Sequence, residues 1–231
     1  MSSQSQVPAR EATPSADRAP SIPQISIGDP GPLGLAGFAM TTFVLSVFNA
    51  NLLNQGLLTV VLPLALFYGG LAQLLAGMWE FRKGNTFGAL AFASYGAFWL
   101  SYYWFVHVIA AGLQPAGEVH KAVGLFLLVW TIFTAYMTIA SMRTSGAVLA
   151  VFVALTLAFL FLCIGAFAAT DPSKSGWTHI GGWLGLITAV LAWYASFAAV
   201  TNATWGRTVM PTWPLAGAGA TLRTRTVPAA S

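Results

Sequence analysis

Charged residues are scarce in this sequence. Asp, Glu, Lys and Arg make up only 7% of its 231 residues, whereas an ordinary soluble domain contains about 25%. So few charges cannot cover the surface of a soluble protein in which 57% of the residues are hydrophobic. The composition therefore argues against an ordinary soluble domain and predicts that lipid surrounds much of the exterior.

Cysteine is almost absent as well. Cys163 is the single cysteine and lies in an apolar run, so no disulfide can form within the chain and we expect a buried, inert thiol. No cluster of Cys, His and carboxylate residues has the spacing of a metal site, and no nucleotide-binding or nucleophile motif stands in a suitable context. We therefore expect no cofactor, no bound metal and no enzymatic activity.

Long apolar segments dominate the sequence instead. Six segments each have about the 20 residues that a helix needs to cross the hydrocarbon core of a bilayer. They predict an all-α integral membrane protein with spans at about 33–53, 57–79, 87–110, 119–142, 147–169 and 180–201, within a transmembrane domain of residues 29–211. Residues 1–28 and 212–231 have no comparable run, and we predict a disordered tail and a flexible tail there.

Basic residues are distributed unevenly among the predicted loops and tails. Cytoplasmic loops of membrane proteins carry an excess of Lys and Arg. If both termini are cytoplasmic, Lys121 and Lys174 are the only external basic residues, and the other eight lie inside. Those eight are Arg10, Arg18, Arg82, Lys83, Arg143, Arg207, Arg223 and Arg225. We therefore predict a multi-pass protein of the plasma membrane with both termini inside, and we expect no nucleic-acid partner despite the net charge of +4.

Ionisable side chains are missing from the middle of the predicted spans. Glu80 and His107 lie near the ends of spans two and three, and no Asp, Lys or Arg lies mid-span. Such groups are costly inside a membrane and are typically functional there. Their absence argues against a pump with a carboxylate relay and against an intramembrane enzyme.

Neutral polar side chains occur in the spans. Thr42, Ser46 and Asn49 are spaced by four and three residues and so share one helical face. Hydroxyls and amides can replace part of the hydration of a small anion or its acid without holding it too tightly. The alternative is hydrogen bonding between helices, and both interpretations remain open for this face. The candidate residues for a polar pathway lining are Thr41, Thr42, Ser46, Asn49, Gln73 and Thr188.

The start of span one has an unusual composition. Pro30 and Pro32 lie just before an apolar helix, where missing N–H groups cost little. Asp29 can cap this N-terminus or complement its charge. The arrangement suits a stiff turn where the chain enters the membrane; alternatively, free N–H groups there attract carboxylates.

The same residues carry a family resemblance. Asp29-Pro30-Gly31-Pro32-Leu33-Gly34-Leu35 is similar to the Asn-Pro-Ala-Pro-Leu-Gly-Leu signature of the acetate uptake transporter family, also called succinate–acetate permeases. By this resemblance the signature residues are Asp29, Pro30, Pro32, Gly34 and Leu35. Further similar blocks lie at 67–73, at Glu80, and at 83–88, 94–100, 182–187 and 206–211, so the resemblance covers about residues 29–211.

The resemblance implies a function and a site. Members assemble as homo-hexamers in which each protomer has its own pathway for acetate and similar small monocarboxylates, with succinate as a further substrate. Phe38, Tyr95 and Leu155 would form an apolar constriction, and side-chain size at Leu155 and Ala192 would limit substrate size. A methyl group passes such a constriction, whereas a hydrated inorganic ion loses its water there.

Two departures from the family pattern concern the driving force. Asp29 replaces the Asn of the signature, and Phe48 stands where some bacterial members have His. The first adds a negative charge where an anion would enter, and the second removes a titratable group. The sequence therefore leaves open whether the protein is a proton-coupled symporter or an anion channel.

Two other functions remain open at this point. One is ammonium export, which has been proposed for related fungal proteins; competition of uptake by unlabelled acids but not by ammonium would argue against it. The other is a non-transporting membrane sensor or scaffold whose tails bind a partner. Unchanged acid uptake after deletion of residues 1–28 and 212–231 would argue against that function.

Overall fold

The computed structural model describes residues 27–215, and within this range the chain folds into six long helical segments joined by short loops. They are α1 (Gly31–Asn49), α2 (Gln55–Lys83), α3 (Thr86–Trp104), α4 (Val119–Ser141), α5 (Gly146–Ala168) and α6 (Gly176–Trp205). Each segment corresponds to one predicted span, so the all-α fold with six helices is confirmed. The predicted tails 1–28 and 212–231 lie mostly outside the described residues.

The helix surfaces are suited to lipid. Among the described residues, every segment except α3 is long and apolar enough to cross a membrane. Large apolar side chains such as Phe67, Ile139 and Val190 are exposed on the outside of the bundle. Helix α3 carries more hydroxyl groups, among them Ser94 and Tyr95, and these lower its hydropathy.

Helix α1 ends earlier than predicted, and α2 and α3 depart from regular α-helix. Helix α1 ends at Asn49, short of the predicted end at 53, and Asn51 adopts a left-handed conformation (φ 59°) that asparagine tolerates better than most residues. Helix α2 begins with a 3₁₀ turn and contains a π-helical stretch, Phe67–Ala72. Helix α3 continues beyond Trp104 as a second π-helical stretch, Phe105–Ile109. Such π-helical stretches frequently occur at functional sites.

The six helices form a ring. Helix α1 packs between α2 and α6, α6 packs on α5, α5 on α4, and α2 on α3. The ring closes between α3 and α4 largely through aromatic side chains: the Tyr95 ring lies 5.4 Å from Phe133, and the Phe98 ring lies 5.1 Å from Trp130. The helices surround an interior that contains cavities.

The ends of the helices define two ends of the bundle. We call the end where α1 begins and α6 ends the inner end, because the charge distribution predicts that it faces the cytoplasm. The end where α1 ends and α2 begins is the outer end. Since six helices alternate in direction, residues 27–30 and 206–215 both lie at the inner end.

The chain after α6 remains attached to the bundle. The backbone N–H of Gly146 donates to the Trp213 carbonyl at 2.7 Å, and the N–H of Leu215 donates to the Thr144 carbonyl at 3.1 Å. The Trp213 ring also stacks on Tyr194 at 5.8 Å. Residues 212–215, which lie beyond the predicted transmembrane domain of residues 29–211, are therefore attached to the bundle.

Close backbone approach holds α1 against α6. A Cβ atom added to Gly182 would collide with the backbone of Asn49 and Ala50, and one added to Gly185 would collide with the Ser46 hydroxyl. Lipid tails are as apolar as the helix surfaces, so membrane helices associate through close packing, which small residues at the contact allow.

This contact leads to a prediction about stability. We expect Gly182→Ala to lower the free energy of unfolding by about 1–3 kcal/mol, because the added methyl group forces α1 and α6 apart. The measurement is the midpoint of thermal unfolding of the detergent-purified protein. Gly176→Ala is the matched control, since its Cβ would meet open space at the start of the same helix. Equal midpoints for the two variants would contradict the assigned contact.

Candidate functional site

Two cavities lie inside the helix ring, one toward each end. The outer cavity has a volume of about 270 Å³ and the inner cavity about 260 Å³. Phe38 on α1 and Leu155 on α5 line both cavities, and Tyr95 on α3 lines the inner one. The structure therefore brings the three residues of the predicted constriction together, between the cavities. We refer to Phe38, Tyr95 and Leu155 as the neck.

The neck is apolar and tightly supported. All three side chains are at most 5% exposed, and the Phe38 and Tyr95 rings are 5.6 Å apart. The Tyr95 hydroxyl is within hydrogen-bond distance, 2.9 Å, of the Thr134 hydroxyl on α4. Because this polar atom already has a partner, Tyr95 contributes mainly its ring to the neck.

The outer cavity has apolar walls and a few polar groups. Thr42, Ser46 and Asn49, which were predicted to share one face of α1, all line it. Trp99 on α3 lines it as well. Within the described chain, the Thr42 hydroxyl oxygen and the Trp99 indole nitrogen are buried without a hydrogen-bond partner.

Thr42 and Trp99 lie near the neck. Trp99 comes one turn after Tyr95 on α3 and lines the outer cavity, so it lies just outside the neck. Thr42 comes one turn after Phe38 on α1. An indole N–H can only donate a hydrogen bond. Together with the Thr42 hydroxyl, it makes this part of the outer cavity suited to an acceptor such as a carboxylate.

The inner cavity contains buried acceptor groups. Gln73 and Glu80, both on α2, line it and are each 1% exposed. Neither Gln73 Oε1 nor Glu80 Oε2 has a hydrogen-bond partner among residues 27–215. At the rim, the Lys83 ammonium forms an ion pair with Asp29 at 2.8 Å, with both side chains partly exposed. The one buried carboxylate of this cavity is therefore separate from the exposed ion pair.

The Glu80 carboxylate lies between the first turns of two helices. A Cβ atom added to Gly31, at the start of α1, would be 3.5 Å from Oε1, and one added to Gly88, in the first turn of α3, would be 3.1 Å from Oε2. Helix N-termini carry a partial positive charge that stabilises a carboxylate. This arrangement explains how the fold tolerates a buried acid here.

The family signature lies along the same cavity. Asp29, Pro32 and Leu35 line the inner cavity, and Pro30 precedes the first residue of α1 as its N-cap. Gly34 allows close packing, because a Cβ there would collide with the Phe92 ring. The charge of Asp29 is balanced, since its Oδ1 accepts from the Gly31 N–H at 2.9 Å as well as from Lys83.

Three residues predicted to belong to the pathway lie elsewhere. Thr41 and Thr188 line neither cavity: each hydroxyl donates to a carbonyl four residues earlier, that of Gly37 and that of Leu184. Thr41 differs from Thr42 because adjacent helical residues point in different directions. Ala192 is fully buried in the same apolar cluster as Phe38 and Leu155, outside the lining of both cavities.

Sequence reasoning missed two residues of the site. Glu80 was placed at a span end, where an acid beside Arg82 and Lys83 usually meets water, and Trp99 was not considered as a polar group. The signal that could have found both is the resemblance, whose matching blocks include Glu80 and residues 94–100. No group of three or more His, Cys, Asp or Glu within the described residues is arranged to hold a metal ion.

Known proteins resemble this chain in sequence and in fold. Residues 11–217 match the GPR1/FUN34/yaaH family. The chain is 38% identical over 185 residues to the Succinate-acetate/proton symporter SatP of Escherichia coli (strain K12), covering 80% of this chain and 95% of that protein. It is 40% identical over 185 residues to Ammonia transport outward protein 2 of Saccharomyces cerevisiae, covering 78% of this chain and 64% of that protein.

The chain thus spans 64% of the length of several fungal relatives that it matches. A solved structure titled "Structure of the bacterial acetate channel SatP" superimposes with a TM-score of 0.73 at 37% identity, covering 81% of this chain and 99% of that chain. The match to a channel structure confirms the predicted multi-pass membrane fold. Since the family match covers most of the sequence, the membership that the motifs indicated is also confirmed, and the chain belongs to the GPR1/FUN34/yaaH family.

Proposed function

We propose that this chain forms a transmembrane pathway for acetate or acetic acid and related small monocarboxylates, with succinate as a further substrate. The observation that carries this proposal is the arrangement of two cavities, one toward each end of the bundle, that share Phe38 and Leu155 as a common wall. A non-transporting sensor would not need two cavities that meet at one constriction.

The chemistry of the cavities suits a small acid. In the outer cavity the Thr42 hydroxyl and the Trp99 indole N–H would donate hydrogen bonds to the carboxylate and offset part of its lost hydration. The methyl group would then pass the neck, where an inorganic ion has nothing to compensate for its lost water. The names of the bacterial relatives, a succinate-acetate/proton symporter and an acetate channel, support the same substrate class.

Ammonium is a second candidate because one relative is named for ammonia transport. An ammonium ion needs acceptors, and the inner cavity offers Gln73 Oε1 and Glu80 Oε2, whereas the unpartnered indole N–H of Trp99 in the outer cavity is a donor. The outer cavity therefore suits a carboxylate better than an ammonium ion. Competition of labelled acetate uptake by unlabelled monocarboxylates but not by ammonium is the result we expect.

The proposal extends to assembly and topology. By the family resemblance, six copies form a homo-hexamer in which each copy has its own pathway, in keeping with two cavities that lie within the helices of one chain. Both termini would face the cytoplasm at the plasma membrane, so that Arg82, Lys83, Arg143 and Arg207 lie on the cytoplasmic side.

Uptake by reconstituted protein tests the proposed function directly. We expect liposomes containing the purified protein to take up labelled acetate faster than protein-free vesicles of the same lipid. Protein-free vesicles correct for acetic acid that diffuses through the bilayer. Equal rates in the two preparations would exclude the function.

Side-chain size at the neck should set substrate size. We expect Leu155→Ala to raise the ratio of lactate to acetate uptake by roughly tenfold, because a shorter side chain widens the passage. Ala192→Gly, behind Leu155, should raise the same ratio to a smaller extent. The measurement is uptake of both labelled acids by the same vesicles. Leu160→Ala is the matched control, since Leu160 is on the same helix, is exposed and lines neither cavity. An unchanged ratio in Leu155→Ala would contradict the assigned neck.

Hydrogen-bond donors of the outer cavity should determine affinity. We expect Thr42→Val and Trp99→Phe each to raise the KM for acetate by about tenfold, because each removes one hydrogen bond to a charged group and keeps most of the side-chain volume. The lactate-to-acetate ratio should stay the same, since the neck is intact.

Two variants control for the loss of a hydroxyl or an indole away from the cavities. Thr131→Val removes a hydroxyl that donates to the Leu127 carbonyl, and Trp193→Phe removes an indole that packs on Phe43 at 5.1 Å. Both should keep the KM of the unmodified protein. If they raised it as much as Thr42→Val and Trp99→Phe, the donors would have no specific role.

A further inference from the structure

We propose that Glu80 is the proton-binding group of the pathway, and that a carboxylate occupies the inner cavity only together with a proton that it shares with Glu80. This inference rests on the proposed function, and it addresses the driving force that the sequence leaves open. It starts from a buried carboxylate, 1% exposed, that lines the inner cavity and whose Oε2 has no partner in the described part of the chain.

The position of Glu80 puts it on the route between the neck and the inner end. Glu80 lies two helical turns after Gln73 on α2, so both side chains are on one face of that helix and line the same cavity. The cavity runs from Phe38 and Leu155 at the neck to Asp29 and Lys83 at its rim. A carboxylate that crosses the neck inward therefore enters the cavity in which the Glu80 carboxylate already lies.

The charged groups near Glu80 are Lys83 and Asp29, which act on it through space without forming an ion pair with it. Lys83 lies one turn further along α2 and is in an ion pair with Asp29, the residue that precedes α1 by two positions. Asn85 at the start of α3 is uncharged. Among the described residues, the α4–α5 loop, helices α5 and α6 and the chain after α6 contribute only uncharged side chains to the lining. They are Thr144, Ser145, Ala147, Val148, Val151, Phe152, Leu155, Ala195, Ala199 and Thr212.

Two carboxylates in one small cavity repel each other strongly. Water screens this repulsion poorly in a confined apolar site, so a pair of like charges retains one proton that either member alone would lose. The shared proton lies between a substrate oxygen and Glu80 Oε2, as an O–H of one group that donates to the other. The substrate takes up this proton from water at the outer end and crosses the neck as the neutral acid. At the inner end it leaves with the proton, or releases it to water there and leaves as the anion, and Glu80 is again the carboxylate that it was before the substrate arrived.

The outer cavity differs in this respect. Its unpartnered groups near the neck are the Thr42 hydroxyl and the Trp99 indole N–H, and no Asp or Glu lines it within residues 27–215. A carboxylate can therefore occupy the outer cavity as an anion, whereas the inner cavity requires the proton. The proton requirement thus arises from one side chain rather than from the whole pathway.

Glu80→Gln is the test, because glutamine has the shape of the protonated acid without a titratable group. We would measure exchange of labelled for unlabelled acetate across vesicles with equal pH on both sides, from about pH 5 to about pH 8, after subtraction of protein-free vesicles. Exchange by the unmodified protein should fall as the pH rises, since the substrate then arrives without the shared proton and the Glu80 carboxylate repels the anion. Exchange by Glu80→Gln should stay nearly constant over this range.

Membrane voltage provides an independent readout. A carboxylate that moves with a proton carries no net charge, so a potassium diffusion potential should leave net acetate uptake by the unmodified protein unchanged. In Glu80→Gln the anion moves alone, and an inside-positive potential should raise its uptake several-fold. A purely structural role at the start of α1 and α3 would lower thermal stability without creating this voltage response.

Controls separate this inference from the proposed function. Glu118→Gln neutralises an exposed acid that pairs with Lys121 at the outer end, and it should behave like the unmodified protein. If Glu80→Gln fails to fold, Glu80→Asp keeps an acid one methylene further back, and we expect exchange that still depends on pH but with a shifted midpoint. An unshifted midpoint there, or an unchanged pH and voltage response in Glu80→Gln, would overturn the inference. Absence of any acetate flux in the unmodified protein would instead refute the proposed function.

Discussion

The contact between α1 and α6 is the interaction on which both cavities depend. Gly182 and Gly185 let the backbone of α1 come so close that no other residue type fits without displacement. Since α6 packs against one side of α1, the remaining faces of α1 are directed toward α2 and toward the interior of the bundle. This rotation directs Phe38 to the neck and Thr42 to the outer cavity, while Thr41 next to it faces α2 and forms its hydrogen bonds there.

The neck depends in turn on how the ring of helices closes. Helices α3 and α4 meet through large rings, and the Tyr95–Thr134 hydrogen bond fixes the one polar atom of the neck. Aromatic side chains fill this contact with few rotatable bonds, so they hold a constriction of defined size. A neck built from flexible aliphatic chains would discriminate less well between a methyl group and a larger substituent.

The two cavities differ in the hydrogen-bonding groups that they leave unpartnered. Near the neck the outer cavity offers the donors of Thr42 and Trp99, whereas the inner cavity offers the acceptors of Gln73 and Glu80. A carboxylate is attracted by the first set and repelled by the second unless a proton is present. In the proposed pathway this asymmetry gives a physical basis for proton symport, although the neck itself contains no carboxylate, amine or imidazole.

The sequence by itself determined the class of the protein, the number of helices and the family. Apolar segments of the right length and the near-absence of charge leave few alternatives to six membrane helices, since the thickness of the bilayer sets the length of a span. The resemblance predicted that Phe38, Tyr95 and Leu155 form a constriction, and that role stays a prediction. Helical periodicity also grouped Thr42, Ser46 and Asn49 correctly, because residues three or four positions apart lie on one face whatever the surroundings.

Only the tertiary structure decided which polar groups reach the pathway. Thr41 and Thr188 are polar residues within predicted spans, as Thr42 is, yet their hydroxyls donate to backbone carbonyls. A helix face lines a cavity only where the neighbouring helices leave space beside it. Glu80 gives the clearest case. Its position in the sequence, near the end of span two and beside Arg82 and Lys83, gave no indication that it is buried. The close approach of Gly31 and Gly88 buries it instead, and such contacts between distant segments cannot be derived from local sequence.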